Sequence, residues 1–249
     1  MTIRLQNTKR GTPHTILYII VFASILIRLN MLFFDPIVSR DGALYSLLSD
    51  NQLATEQIRD DLNQIKIVMP LYIICQQKVA RLIGSGEKAG ISINIFLGSL
   101  IPIFGYIICR KLHLKSWTAL LTSIFLSIHP SLCRLSIQPQ RDILYLFLCG
   151  LSLVYIIESV QRNIIYNSCF AGFYLGLGFL TRIEAFEIVL YAVLSYFVLF
   201  WVLHKKFKRF LLSSFSIIAS FMLTVGIIVI LFSPYLSFMG IFIDYLKRI

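Results

Sequence analysis

Charge is scarce in this chain of 249 residues: 14% of positions are Asp, Glu, Lys or Arg, and only 12 are acidic. With 57% hydrophobic residues and a mean hydropathy of +0.80, that scarcity excludes an ordinary soluble domain. Cysteine is sparse as well. Cys75, Cys109, Cys133, Cys149 and Cys169 stand singly, with no CxxC and no His at ligand spacing, which argues against a disulfide framework or a zinc site. They read as small apolar residues within helices. No small-residue cleavage site follows Arg4, Lys9 and Arg10, so the first apolar run reads as a retained anchor and not as a removed signal peptide. Internal repeats and low-complexity tracts are missing, which excludes solenoid folds and disordered linkers. What is plentiful is basic charge, 23 Lys and Arg for a net +11, yet it lies in short clusters between apolar runs and along no single face. That pattern is the mark of membrane loops, and no nucleic-acid partner is expected.

The apolar runs then give the architecture. A crossing helix needs about 20 mostly apolar residues to traverse roughly 30 Å of hydrocarbon. Seven segments meet or approach this, at 15–34, 91–109, 116–130, 143–157, 163–181, 188–203 and 210–232. The 20 Phe and 12 Tyr suit helices that face lipid and anchor at its interfaces. The third and fourth runs are short, as for helices that end at a polar cavity. A further stretch, 67–83, carries Gln76, Gln77, Lys78 and Arg81 and reads as a helix lying on the membrane. With seven spans and a cytoplasmic N-terminus, the inside segments hold Arg4/Lys9/Arg10, Arg110/Lys111/Lys115, Arg162 and Lys205/Lys206/Lys208/Arg209, as the positive-inside rule requires. Making 67–83 a span would put the Arg110 and Lys205 clusters outside. The expectation is thus a single all-α integral membrane domain over 1–249, in the plasma or inner membrane for a bacterial chain.

The first outside loop, 35–90, is far longer than the others, and loops of that length usually carry function. Ala43, Leu44, Leu47 and Leu48 recur at helical spacing, as do Ile58, Leu62 and Ile65, which predicts short interfacial helices. Asp60-Asp61 reads as a solvated face.

Two polar clusters each carry an Arg-Asp pair: Ser39-Arg40-Asp41-Gly42 after the first span, and Gln140-Arg141-Asp142-Ile143 after the third. A third group, Thr181-Arg182-Ile183-Glu184, occupies the outside turn between the fifth and sixth spans. Each has a bland reading. Asp41 and Asp142 precede helices and can cap them; Arg182 and Glu184 can simply pair; His129 reads as an interfacial polar group. Each also has a chemical one. A carboxylate at the membrane edge can take a proton from an attacking hydroxyl, and Arg presents a fork of donors to phosphate. Pro130 and Pro139 keep the stretch before Asp142 from being one helix, and irregular backbone at that depth usually lines a cavity. Arg28, near the outer end of the first span, is expected to snorkel or to add to a phosphate site. All three polar groups fall on the exoplasmic side, where they predict one pocket.

In order along residues 15 to about 190, the chain carries Arg40-Asp41-Gly42…Tyr45, then Met69-Pro70-Leu71-Tyr72…Arg81-Leu82-Ile83-Gly84. His129-Pro130-Ser131-Leu132…Arg141-Asp142-Ile143-Leu144-Tyr145 follows, and then Gly176-Leu177-Gly178-Phe179-Leu180-Thr181-Arg182-Ile183-Glu184. This succession resembles the GT-C membrane glycosyltransferases, close to the dolichyl-phosphate-mannose–protein mannosyltransferases (glycosyltransferase family 39) and their bacterial relatives. The resemblance implies the conserved GT-C module and a polyprenyl-phosphate-linked sugar used on the exoplasmic face. Asp41 then matches the catalytic base, and Asp142 the second-loop acid that orients the acceptor or helps hold a metal. Arg182 and Arg141 would neutralise the leaving phosphate, with Arg40, Tyr45 and Glu184 as further substrate contacts. The sequence itself requires no cofactor; a divalent cation is what the resemblance leaves open. Arg40 before Asp41 and Gly42 after it depart from the Asp-Glu pair of many relatives. Such enzymes usually continue beyond seven helices, so a second polypeptide is one expected source of a C-terminal module. Besides that polypeptide, the expected partners are the polyprenyl-phosphate sugar and membrane lipids. The competing reading is a non-catalytic remnant or a partner or lipid-handling protein, whose basic inside loops hold anionic lipid heads. A transporter would carry ionisable residues at mid-membrane, and spans two to seven have almost none.

Overall fold

The computed structural model describes residues 12–34, 38–50, 70–162, 164–203 and 207–232. Among them run ten helices and no strand: α1 (Thr12–Phe34), α2 (Arg40–Ser49), α3 (Pro70–Ile83), α4 (Gly86–Lys111), α5 (Ser116–Ile128), α6 (Pro130–Ser136), α7 (Asp142–Arg162), α8 (Ile165–Phe179), α9 (Ala185–Leu203) and α10 (Phe207–Phe232). The apolar runs 15–34, 91–109, 143–157, 188–203 and 210–232 each lie within one helix, 116–130 is split between two, and Ile165–Phe179 occupies the middle of 163–181. Among the described residues, Thr15–Phe34, Gly86–Lys111, Asp142–Arg162 and Leu211–Ile228 are long and apolar enough to cross a membrane, and the bent pair α5–α6 makes a fifth. This is an all-α integral membrane protein. The second and fourth runs extend beyond the apolar stretch at both ends, because Glu87 and Asp142 in first turns and Arg110, Lys111 and Arg162 in last turns complement the helix dipole.

In the long loop, α2 occurs where Ala43, Leu44, Leu47 and Leu48 set the spacing, and α3 opens at Pro70, a residue suited to a first helical turn. The helix expected around Ile58–Ile65 and the pair Asp60-Asp61 lie outside the described residues.

The central helix is α4, which packs against α1, α2, α3, α5, α6 and α7, while α8 lies between α7 and α10. Close backbone approach explains the second contact. A Cβ on Gly172 would stand 2.2 Å from the Ile217 carbonyl oxygen, and one on Gly176 would stand 2.8 Å from Thr224 Cβ. Two glycines four apart on one helix face thus let α8 and α10 meet at backbone distance, as in lipid-embedded helix pairs generally. Leu175, Phe179, Ile217 and Phe221 fill the seam around them.

The two ends of the bundle differ in charge. At one, Glu158 joins Lys111 (3.1 Å) to Arg162 (3.5 Å), tying α4 to α7. About 30 Å away, at the start of α7, lies the end that carries α2, α3 and the segment before Asp142.

The third run breaks at His129, where α5 and α6 meet at 53°. Pro130 opens α6 and cannot donate a backbone hydrogen bond to α5, so the last carbonyls of α5 need other donors. Arg28 supplies one. Its side chain is fully buried, donating from Nη1 to the Ser127 carbonyl (3.2 Å) and from Nε to Ser136 Oγ (3.1 Å), besides Ser24 of its own helix. The expectation that Arg28 snorkels outward therefore fails. The broken helix turns the Ser127 carbonyl into the bundle, where the Arg28 guanidinium shares it with Cys133 Sγ (3.3 Å).

Candidate active site

The first Arg-Asp cluster opens α2. Ser39 caps this helix, its Oγ accepting from the Gly42 amide at 3.1 Å, so capping by Asp41 is corrected: the hydroxyl one turn earlier already holds that donor. Arg40 and Asp41 are exposed in the first turn, where the positive end of the helix favours a carboxylate. Among the described residues neither forms an ion pair.

The second cluster reaches the same end of the bundle through Ile137–Gln140, an irregular and mostly buried link between α6 and α7. Its shape is set from α4. Asn94, fully buried, donates from Nδ2 to the carbonyls of Gln138 (2.6 Å) and Gln140 (2.6 Å). Pro139 is wedged against α2 and α4: a Cβ on Gly90 would stand 2.6 Å from Pro139 Cβ. The Gln140 side chain then donates to Ser39 Oγ, joining the two clusters directly.

Asp142 is the first residue of α7, and its carboxylate turns to the third cluster. Arg182 Nη1 donates to Asp142 Oδ1, while Nη2 and Nε donate to Glu184 at 2.7 and 3.3 Å. The bland pairing of Arg182 with Glu184 is therefore present, and a second carboxylate joins it. The Glu184 hydrogen bond, foremost, raises the Arg182 guanidinium above its usual range. The bond from Arg182 in turn holds the Glu184 carboxyl below the ordinary carboxylate range. The trio carries net −1. The turn that holds Arg182 is anchored to α3, whose Leu71 amide donates to the Leu180 carbonyl at 3.1 Å.

Tyr45 lies between the clusters. Its ring is buried, edge-on to Tyr72 with centroids 5.6 Å apart, and Arg141 Cζ sits 6.0 Å from its centre. Burial raises the Tyr45 phenol; the charges of Arg141, Asp41, Asp142 and Arg182 all act on it as well. Of these four ionic side chains, Arg141 is the one in contact with the Tyr45 ring. The predicted residues Asp41, Tyr45, Arg141, Asp142, Arg182 and Glu184 gather on one rim, with Arg40 at its exposed edge. His129 does not join the rim chemistry. It packs edge-on to Phe125 at the helix break, 5.5 Å between centroids.

The donor set does not fit a resident divalent cation. Among the described residues no group of three or more His, Cys, Asp or Glu is placed to hold one, and Asp142 and Glu184 already share the Arg182 cation.

Sequence reasoning passed over Asn94 and the role of Gln140. Asn94 had a usable signal, an amide inside the apolar run Ile91–Leu100, where polar side chains are costly and usually make contacts between helices. Gln140 had none, since its partner lies 101 residues away in sequence.

With this geometry in view, the comparison with known families decides the lineage. Residues 68–238 match the model of the dolichyl-phosphate-mannose-protein mannosyltransferase family, well over half of the chain. The chain belongs to this family. The family match takes in Arg141, Asp142, Arg182 and Glu184 and starts after Arg40, Asp41 and Tyr45, which are tied to the rest by Ser39–Gln140 and Tyr45–Arg141. A search of the curated proteins returned no match.

Proposed function

We propose that this member of the mannosyltransferase family moves a sugar from a polyprenyl-phosphate-linked donor to an acceptor hydroxyl at the exoplasmic rim of the membrane. Asp41, exposed and outside every ion pair among the described residues, is the general base. It takes the acceptor proton as that oxygen bonds to the sugar C1, and the C1–O bond to phosphate breaks with its electron pair. Polyprenyl phosphate leaves with one more negative charge, and cations placed beforehand at that oxygen stabilise the transition state. Arg182 spends its charge on Asp142 and Glu184, so Arg141 and Arg40 carry the larger share of phosphate binding, with Arg182 holding Asp142 toward the acceptor. The Arg182 hydrogen bond that lowers the Glu184 carboxyl favours its charged, paired form.

The observation that carries this reading is the joining of the two Arg-Asp clusters, by the Gln140–Ser39 hydrogen bond and by Arg141 against the Tyr45 ring, within a chain of this family. The test is release of dolichyl phosphate from dolichyl-phosphate mannose, or of the lipid phosphate from other polyprenyl-phosphate sugars, by the purified chain. Asp41→Asn should lower turnover by about 10²-fold or more, the range ascribed to a positioned base. An Asp41→Asn protein as active as the parent would remove Asp41 from the base position.

A further inference from the structure

We infer that Gln140 is a positioning residue that sets the separation between the two Arg-Asp clusters. It acts as a latch whose main chain is held by α4 and whose side chain holds α2. The inference rests on the proposed sugar transfer for its functional meaning and on geometry for its existence. The Gln140 carbonyl takes one of the two Asn94 protons at 2.6 Å, while its own amide donates to Gln138 O at 2.8 Å, so its backbone is fixed on both sides. Asn94 is fully buried in α4, a helix long enough to cross the membrane, and makes a stiff post. From that post the Gln140 side chain reaches Ser39 Oγ. Ser39 is no bystander: the same oxygen caps α2 through Gly42 N, and the next two residues are Arg40 and Asp41. Directly after Gln140 come Arg141 and Asp142. One side chain therefore links the residue before one Arg-Asp pair to the residue before the other.

The latch matters because α2 has ten residues, too few to be stable alone, and must be held by tertiary contacts. It is held at both ends. Gln140 grips its start, and at its finish Gln77 Nε2 donates to the Leu48 carbonyl at 3.1 Å while Asp50 accepts from Gly86 N. Only the grip at the start lies beside Asp41. A base that drifts by about 1 Å from its reacting partner loses on the order of 10²-fold in rate. Loss of the latch should therefore strike turnover more than donor affinity, which Arg141, beside the Asn94-held backbone, still supports.

The comparison of Gln140→Leu with Gln77→Leu separates positioning from general support. Both variants free one end of α2, and both should speed hydrogen exchange of a peptide covering residues 40–49. Gln140→Leu should lower kcat for dolichyl-phosphate release about tenfold or more, with the donor KM rising by less, since Arg141 stays beside the Asn94-held backbone. Gln77→Leu should leave kcat within about twofold. Ser39→Thr keeps the hydroxyl and should behave as the parent. Adding Gln140→Leu to Ser39→Ala should cost little beyond Ser39→Ala, since the two remove the same bond. Parental kcat in Gln140→Leu, or equal losses in the two glutamine variants, would overturn the inference. A parent chain that releases lipid phosphate from no polyprenyl-phosphate sugar would defeat the proposed function instead. The latch would then be judged on exchange alone, and unchanged exchange of residues 40–49 in Gln140→Leu would refute it.

Discussion

Individual side chains on the rim divide into those whose charge is spent and those whose charge is available. Arg182 is spent on Asp142 and Glu184, and removing it would leave two carboxylates facing each other. Arg182→Met should therefore lose about 10²-fold in turnover, as misplaced groups do, and should also lower the melting temperature in detergent. Arg182→Lys should not rescue it, because one ammonium cannot serve two carboxylates in the geometry of a guanidinium fork. Glu184 adds a pH signature. Its pKa is depressed by the Arg182 bond, so its contribution to stability is complete above the unfolded value of about 4.3 and is lost as pH falls through the lower folded value. The melting temperature should thus show no Glu184-dependent change between pH 8 and 5 and should fall in stronger acid. Glu184→Gln should lack that acid-dependent part; an identical acid profile in the variant would contradict the pairing. The residue scale is also where sequence reading went furthest. Arg141, Asp142, Arg182 and Glu184, singled out as charges costly to place at a membrane edge, lie close together, and Arg40 and Asp41 are tied to them through Ser39, while Asp60-Asp61 lies outside the described residues. The cap of α2 is the point that differs, since Ser39 precedes Asp41 and its hydroxyl, not the carboxylate, takes the Gly42 amide.

At the scale of helices, the legible features were those with a long apolar period or a proline. α1, α4, α7 and α10 stand out by hydrophobic length, and the α5–α6 break by Pro130. What brings helices together was not legible. Arg28 looked like a residue bound for the interface, yet it bridges α1 to the broken α5–α6 pair, because the Ser127 carbonyl and Ser136 hydroxyl it binds come together only once the break has formed. Arg28→Met should cost about 1–3 kcal/mol, the range for buried groups that lose a hydrogen-bond partner, with Ser127 O keeping only the weak Cys133 thiol donor. An unchanged thermal midpoint would show that the Ser127 carbonyl does not depend on Arg28. Gly172 offers a cleaner contrast. Gly172→Ala drives a Cβ into the Ile217 backbone and should destabilise by about 1–3 kcal/mol, as overpacking does. Gly226→Ala, with nothing within 4 Å of the new carbon, should be neutral or slightly stabilising. Equal midpoints for the two variants would contradict the close α8–α10 contact.

Over the whole molecule, one bundle end carries Lys111, Glu158 and Arg162, and the other carries the rim formed by α2, α3, the 137–142 link and the 180–184 turn. Charge patterning anticipated that separation, since it depends on the order of basic clusters along the chain. It could not anticipate that the rim is held from within the membrane by Asn94 and Pro139. Those contacts join residues tens of positions apart and leave no period in the sequence. The account depends on the two Arg-Asp clusters being neighbours on one membrane face. The most direct measurement is cross-linking of a Ser39→Cys, Gln140→Cys pair in native membranes with a short bis-maleimide, read by mass spectrometry of the joined peptides. The account predicts an intramolecular link between residues 39 and 140, formed by a membrane-impermeant reagent from one side only. Failure to link, with the two cysteines modified from opposite faces, would contradict it.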